Sequence, residues 1–187
     1  QLRESVQAVE KLMIFSGDKK TVDEKDVEAV VGKSKEDSVF QLIAALTEKN
    51  LAGSLHIFQE LILQGEPYLM ILAMISREIR HLLQAKLLLR SRALSAYRSN
   101  MDYGEFQKKI YPLLKEMIAQ AGKNDMGLIS QHPFAVYQSL KNSQRFAYEA
   151  LLEYLDKLVR IDILMKSTGR DERLLIERFL VTVCSGK

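Results

Sequence analysis

This chain of 187 residues is marked first by what it lacks. It has a single cysteine, Cys184. That forbids an internal disulfide framework and fits a reducing compartment. With no base near it in sequence, Cys184 reads as a small core residue close to a helix end rather than as a nucleophile. Long hydrophobic runs are also missing. The most apolar stretch, residues 68–75, is too short to cross a bilayer and runs straight into Arg77 and Arg80. Nothing at the amino terminus has the pattern of a signal peptide. There is no initiator methionine, and Gln1 falls inside an apolar helical pattern (Leu2, Val6, Val9, Leu12, Met13), as expected of a piece of a longer protein. Excess charge of one sign is absent too. The formal net charge of +3 is mild and commits the chain to no class of partner. No strand-like alternation, tandem repeat or low-complexity tract is present.

Catalytic constellations are missing as well. Gly32-Lys33-Ser34 resembles the end of a phosphate-binding loop, but that pattern needs a glycine where this chain has Val27, and a preceding strand where a helix is expected. A helix end followed by a charged linker accounts for it better. His56, His81 and His132 stand far apart without metal-ligand spacing. His56 and Glu60 are four apart on one helix, and two such groups do not make a metal site. No serine lies in a nucleophile elbow. Asp23 with Asp26, and Glu24 with Glu28, sit in a helix's first turns, where the dipole alone favours negative charge. No cofactor, metal or catalytic residue is expected.

What is present is helix. The all-α reading starts with a helix over residues 2–15 that stops near Gly17. The capping box Thr21-Val-Asp-Glu24 opens a short one carrying Val27, Val30 and Val31. Residues 33–37 form a charged linker and a domain boundary. A second capping box, Ser38-Val-Phe-Gln41, opens a helix with Phe40, Ile43, Ala44 and Leu46. Residues 50–53 read as a turn, and Gly65 ends the helix bearing Leu55, Phe58, Leu61 and Ile62. Pro67 then leads a long helix to about residue 92, apolar on more than one side and hence central. A polar break over 95–102 precedes a helix near 103–121 that Pro112 should kink or divide. Residues 122–133 form a loop and 134–140 a short helix. Ser143 is expected to cap the helix that reaches Lys166, and Asp171 the last one.

Two charged groupings stand out. From Arg77 to Arg98, the cations Arg77, Arg80, Lys86, Arg90, Arg92 and Arg98 face one carboxylate, Glu78. They form either a phosphate-binding strip or a solvated face around an apolar helix; apart from Tyr97 no aromatic is interleaved for base stacking. The second grouping closes the chain. Asp162-Ile-Leu-Met-Lys166-Ser-Thr-Gly169 ends one apolar helix, and Asp171-Glu-Arg173-Leu-Leu-Ile-Glu177 starts another. Arg173 and Glu177 can pair along their helix. Asp162 sits among Leu158, Val159, Ile161, Ile163, Leu164 and Met165. It is either buried and paired, with Lys166, Arg173 or Arg178 as partners, or faces solvent on a polar stripe with Arg160 or Lys166.

This closing block resembles that of the bacterial DNA polymerase III delta subunit, one component of the sliding-clamp loader. The likeness rests on Asp162, Met165-Lys166, Gly169 and the run Asp171-x-Arg173-Leu174-x-x-Glu177. Further matching stretches lie in the same order. Residues 27–32 (Val-Glu-Ala-Val-Val-Gly) lead into Ser38-Val-Phe. Gly65-Glu66-Pro67 precedes Arg77-Glu78-Ile79-Arg80, and Pro133-Phe134-Ala-Val precedes Gln144-Arg145-Phe146. The resemblance implies that residues 1–36 are the tail of an AAA+ helical lid. Residues 37–187 would be a helical bundle, the collar domain, that packs with other loader subunits, the motor and delta-prime-like ones. It further implies a cytoplasmic bacterial protein that is not itself an enzyme, although it serves a DNA polymerase holoenzyme. The clamp would be reached only through an N-terminal module absent from this sequence, and DNA only indirectly. Asp162, Lys166, Gly169, Asp171, Arg173 and Glu177 become structural or interface residues. The strip Arg77, Arg80, Lys86, Arg90 and Arg92 carries the alternative, a helical nucleic-acid-binding domain. Residues 94–128 depart from the resemblance by being longer than the family's connection, which allows for an added surface helix.

Overall fold

The computed structural model describes residues 2–16, 21, 23, 35–91, 94–121, 127–167 and 169–186. Among these are nine α-helices and no strand. In chain order they are α1 (Leu2–Ser16), α2 (Lys35–Thr47), α3 (Leu51–Leu63), α4 (Tyr68–Arg90), α5 (Tyr103–Lys109), α6 (Tyr111–Ala121), α7 (Pro133–Ser143), α8 (Tyr148–Ser167) and α9 (Glu172–Ser185). A short 3-10 turn, Leu128–Ser130, precedes α7. The capping box at Thr21, the helix expected over Val27 to Val31, and Gly32-Lys33-Ser34 lie outside the described residues.

The helix ends follow from local chemistry. Gly65 adopts φ +80° after α3, where a side chain would be strained. The amides of Gly65 and Glu66 then reach back to the carbonyls of Ile62 and Leu61, each at 3.0 Å. Lys49 takes the same left-handed position after α2, with φ +57°. Asn50 closes that turn through its amide, which donates to the Ala45 carbonyl at 2.9 Å. Its side chain then caps α3, accepting from the Gly53 amide at 3.0 Å. The turn between α2 and α3 is therefore residues 48–50, not 50–53, and Gly53 is already helical. Pro112 does divide its helix: the break falls at Ile110, and Pro112 sits in the first turn of α6, where its missing amide costs nothing.

Two expected caps are wrong. Ser38 is not the start of its helix, because α2 begins at Lys35 and Ser38 is buried one turn in. Glu36 and Asp37, read from sequence as linker, are helical. Ser143 does not cap α8. It is the last residue of α7, and its hydroxyl donates to the Leu140 carbonyl at 2.9 Å. The chain uses the next residues to turn Phe146 into the core, only 3% exposed, and α8 starts at Tyr148.

Two hydrophobic clusters organise the described residues. The larger joins α2, α3, α8 and α9 to the first half of α4 through Leu42, Phe58, Ile75, Leu158, Phe179 and their neighbours. The smaller joins Ala85, near the end of α4, to Phe106, Ile110, Leu114, Val136 and Leu140 from α5, α6 and α7. The described part of residues 94–128 thus enters a core shared with α4 and α7 rather than adding a surface helix: Phe106, Ile110 and Leu114 are all fully buried. As its apolarity on several sides foretold, α4 is central, since it belongs to both clusters. The Arg90 guanidinium lies 4.7 Å from the Tyr148 ring centre, so the end of α4 meets the start of α8 and the two helices run antiparallel.

Adjacent residues on α8 separate core from surface. Leu158 is 2% exposed and Val159 58%. Leu158→Ala should lower the unfolding free energy by about 2–5 kcal/mol. Val159→Ala should change it by less than about 0.5 kcal/mol. Urea unfolding followed by circular dichroism checks both.

Candidate interaction surface

The closing block is built by α8, the Gly169 turn and α9. Gly169 turns the chain with φ +58°, and Asp171 caps α9 as expected, its carboxylate accepting from the Leu174 amide at 3.1 Å. The charges pair within their own helices. The Lys166 ammonium donates to the Asp162 carboxylate at 2.8 Å on α8. The Arg173 guanidinium donates to Glu177 at 2.7 Å on α9, and that bond raises the Arg173 pKa. Neither pair crosses from one helix to the other. Asp162 follows the solvent-facing of its two readings: its side chain is 42% exposed, against 59% for Lys166. Pairs this exposed contribute roughly 0.2–0.5 kcal/mol each. The last two helices are held together by Met165, Ile176, Phe179 and the rest of the larger cluster, not by these ions.

The basic strip comes apart on the helix. At about 100° per residue, nine positions put Lys86 on the side of α4 opposite Arg77. Lys86 is engaged internally: its ammonium donates to the Ser143 carbonyl at 3.1 Å, at the C-terminus of α7 where cations are favoured. Arg90 stacks on Tyr148. Between them these two cations hold the elbow from α7 to α8. Arg77 and Arg80 are exposed, as is Arg90 beside its ring contact, and Arg98 is exposed in the loop after α4. Arg92 lies outside the described residues.

The remaining candidates have structural roles. His132 caps α7, its Nδ1 accepting from the Phe134 amide at 3.3 Å. His56 lies beside Glu60 at 3.4 Å, and His81 beside Glu78 at 3.8 Å. Among the described residues no three His, Cys, Asp or Glu side chains gather as a metal site would require. No described helix is long and apolar enough to cross a membrane. Cys184 packs against the larger cluster, with its sulfur 3.9 Å from the Ser54 hydroxyl. Burial raises its thiol pKa, against smaller lowering effects from Ser54 and Lys49.

The periodic reading missed an outward apolar face. Leu152, Val159 and Ile163 on α8 are 44%, 58% and 57% exposed. With Asp156 they fall at intervals of four, three and four, the spacing of a helix-packing seam. That seam lies roughly 150° around α8 from the buried set Leu151, Tyr154, Leu158, Ile161 and Met165. Beside it, a groove between α4 and α8 is lined by Leu69, Ala73, Arg80, Leu155 and Asp162 among others. Its volume of about 270 Å³ falls below the roughly 300–1,000 Å³ of small-molecule pockets. The 4-3-4 interval was present in the sequence, but spacing alone does not say which of two apolar faces turns inward.

Comparison with known proteins agrees with this description. The family model for the C-terminal domain of the DNA polymerase III delta subunit matches residues 36–183. The DNA polymerase III subunit delta of Bacillus subtilis (strain 168) is 31% identical over 175 residues, covering 94% of this chain and 43% of that protein. The solved structure of a Bacillus subtilis DNA clamp loader delta protein superposes with a TM-score of 0.65 at 26% identity, covering 96% of this chain and 45% of that one. The chain therefore spans less than half the length of these relatives.

The closing block separates cap from ion pair. Asp171→Ala should cost about 0.5–2 kcal/mol, because it strips a helix amide of its acceptor. Asp162→Ala should cost less than about 0.5 kcal/mol. Chemical denaturation of the two variants checks the difference. A raised pKa leaves less thiolate at any given pH, so Cys184 should react with iodoacetamide at about pH 8 more slowly in the folded chain than in urea. Mass spectrometry of timed quenches reads that ratio.

Proposed function

The chain belongs to the family defined by the C-terminal domain of the DNA polymerase III delta subunit, and on that footing we propose that it is the collar of a clamp-loader delta subunit. Its work is to hold that subunit among the other loader subunits while other modules engage ATP, clamp and DNA. The partners are the motor and delta-prime-like subunits, met in the bacterial cytoplasm. The sliding clamp belongs to the N-terminal module of the full-length protein, and DNA is reached only through the assembled loader. Residues 37–187 form the collar and residues 1–36 the end of an AAA+ lid.

The observation that carries this reading is the family match over residues 36–183, which runs across every helix of both hydrophobic clusters. A bundle with an outward apolar seam has the form of an assembly element. The nucleic-acid reading is weaker, because Lys86 of its strip is bonded to the Ser143 carbonyl on the side of α4 opposite Arg77, and Arg90 is stacked on Tyr148.

Mixed with the motor and delta-prime-like subunits of the same loader, the chain should elute from a sizing column in a larger complex. If no complex forms, with or without the rest of delta, the assignment fails. A salt-dependent DNA mobility shift by the chain alone, lost when Arg90 and Arg92 are changed to Glu, would replace it with the nucleic-acid reading.

A further inference from the structure

We propose that the groove between α4 and α8 is the seat for an amphipathic helix of a neighbouring loader subunit, one that lays aliphatic side chains over Leu69, Ala73 and Val159 and directs a carboxylate at Arg80. This inference rests on the assembly reading and names the surface that would carry it.

Apolar exposure is the first observation. Leu69 is 43% and Val159 58% exposed on facing helices, and Ala73 is exposed between them. Leu72 and Leu158 form the groove's floor, at 2% exposure each. The fold has no use for the exposed members, because the buried side of each helix already supplies its packing. Side chains in two parallel rows with a trough between them offer what a third helix needs, a row of holes for its i, i+3, i+4 and i+7 positions.

Charge fixes the occupant more closely. The groove is polarised along its length. Because α4 and α8 run antiparallel, Arg80 marks the end near Leu155, while Asp162 marks the end near Leu69. Asp162 is already paired, with Lys166 at 2.8 Å. Arg80 is in no ion pair among the described residues; its guanidinium donates to the Ser76 carbonyl at a long 3.4 Å. Arg77, exposed one turn earlier, is in no such pair either. The groove therefore ends in uncompensated positive charge at one end and neutralised charge at the other. A helix with an apolar stripe and a carboxylate at its Arg80 end is complementary to both features. A guanidinium beside an apolar seat favours a bidentate carboxylate. Nucleic acid is not complementary, since the seat beside the arginines is aliphatic and no aromatic lines it.

The test uses full-length delta with single substitutions in this region, mixed with the purified motor and delta-prime-like subunits and followed by sizing chromatography and titration. Val159→Glu and Arg80→Glu should each weaken assembly at least tenfold. Leu113→Glu, on an exposed apolar residue of α6 outside the groove, should leave it unchanged. Both groove positions are exposed, and circular dichroism confirms that the variants fold; should one fail to fold, the other still decides. If the unaltered protein assembles and both groove variants assemble equally well, the groove is not the seat while the assembly reading stands. If Leu113→Glu weakens assembly as much as they do, the effect is not specific to the groove and the proposal falls. If the unaltered protein does not assemble at all, the collar assignment falls and takes this inference with it.

Discussion

The membership of α4 in two cores is the constraint on which the rest of this structure depends. Its first half is walled in by α2, α3, α8 and α9, its second by α5, α6 and α7. A helix solvated on one side can shift along its axis at modest cost. One gripped at both ends by separate close-packed clusters cannot, because sliding would open voids in both at once. At 23 residues, α4 is long enough to carry both sets of contacts. Lys86 and Arg90 then lock the junction between the clusters, one binding the end of α7 and the other the start of α8. The basic residues that first suggested nucleic acid are in part the fittings of that joint.

Helix existence was legible in the sequence, and helix starts were less so. The long apolar helix, the division at Pro112, the Asp171 cap and the glycine turns follow from periodicity and backbone chemistry, which act locally. The failures at Ser38 and Ser143 both concern serines that lie within a helix instead of before it. A serine followed three residues later by a compatible side chain, or set before an apolar run, looks like a cap. A serine can equally return its hydroxyl to a carbonyl of its own helix, as Ser143 does to Leu140 at 2.9 Å. Which happens is decided by where Phe146 must go, a tertiary demand that no local window contains. Asn50 shows the opposite case. Its backbone closes the turn after one helix and its side chain opens the next, so one residue serves both helices and the turn lies at 48–50 where 50–53 was expected.

The charges of the closing block looked like the fastening of the last two helices, and magnitudes argue otherwise. An exposed pair four residues apart contributes a few tenths of a kcal/mol. A single leucine moved out of water contributes about 1.5–3 kcal/mol. Ile176, Phe179, Leu180 and Val183 bury almost completely on the inner side of α9. Against that, Asp162 with Lys166 and Arg173 with Glu177 are minor contributors to stability. They stiffen the ends of helices whose position is already set by packing.

This division leaves α8 with two apolar faces, of which the inner one packs against α4 and α9. The inner face, through Leu151, Tyr154, Leu158, Ile161 and Met165, is sufficient to dock the helix. The outer face, through Leu152, Val159 and Ile163, contributes less to the stability of the chain, since those side chains stay about half exposed in the fold. The side of α8 that secures the fold is thus distinct from the side left exposed. A substitution on the outer side leaves the fold intact, whereas one on the inner side undermines it. On the proposed seat, specificity would reside in a pattern of aliphatic spacing and an arginine outside any described ion pair, on a surface held by the larger core.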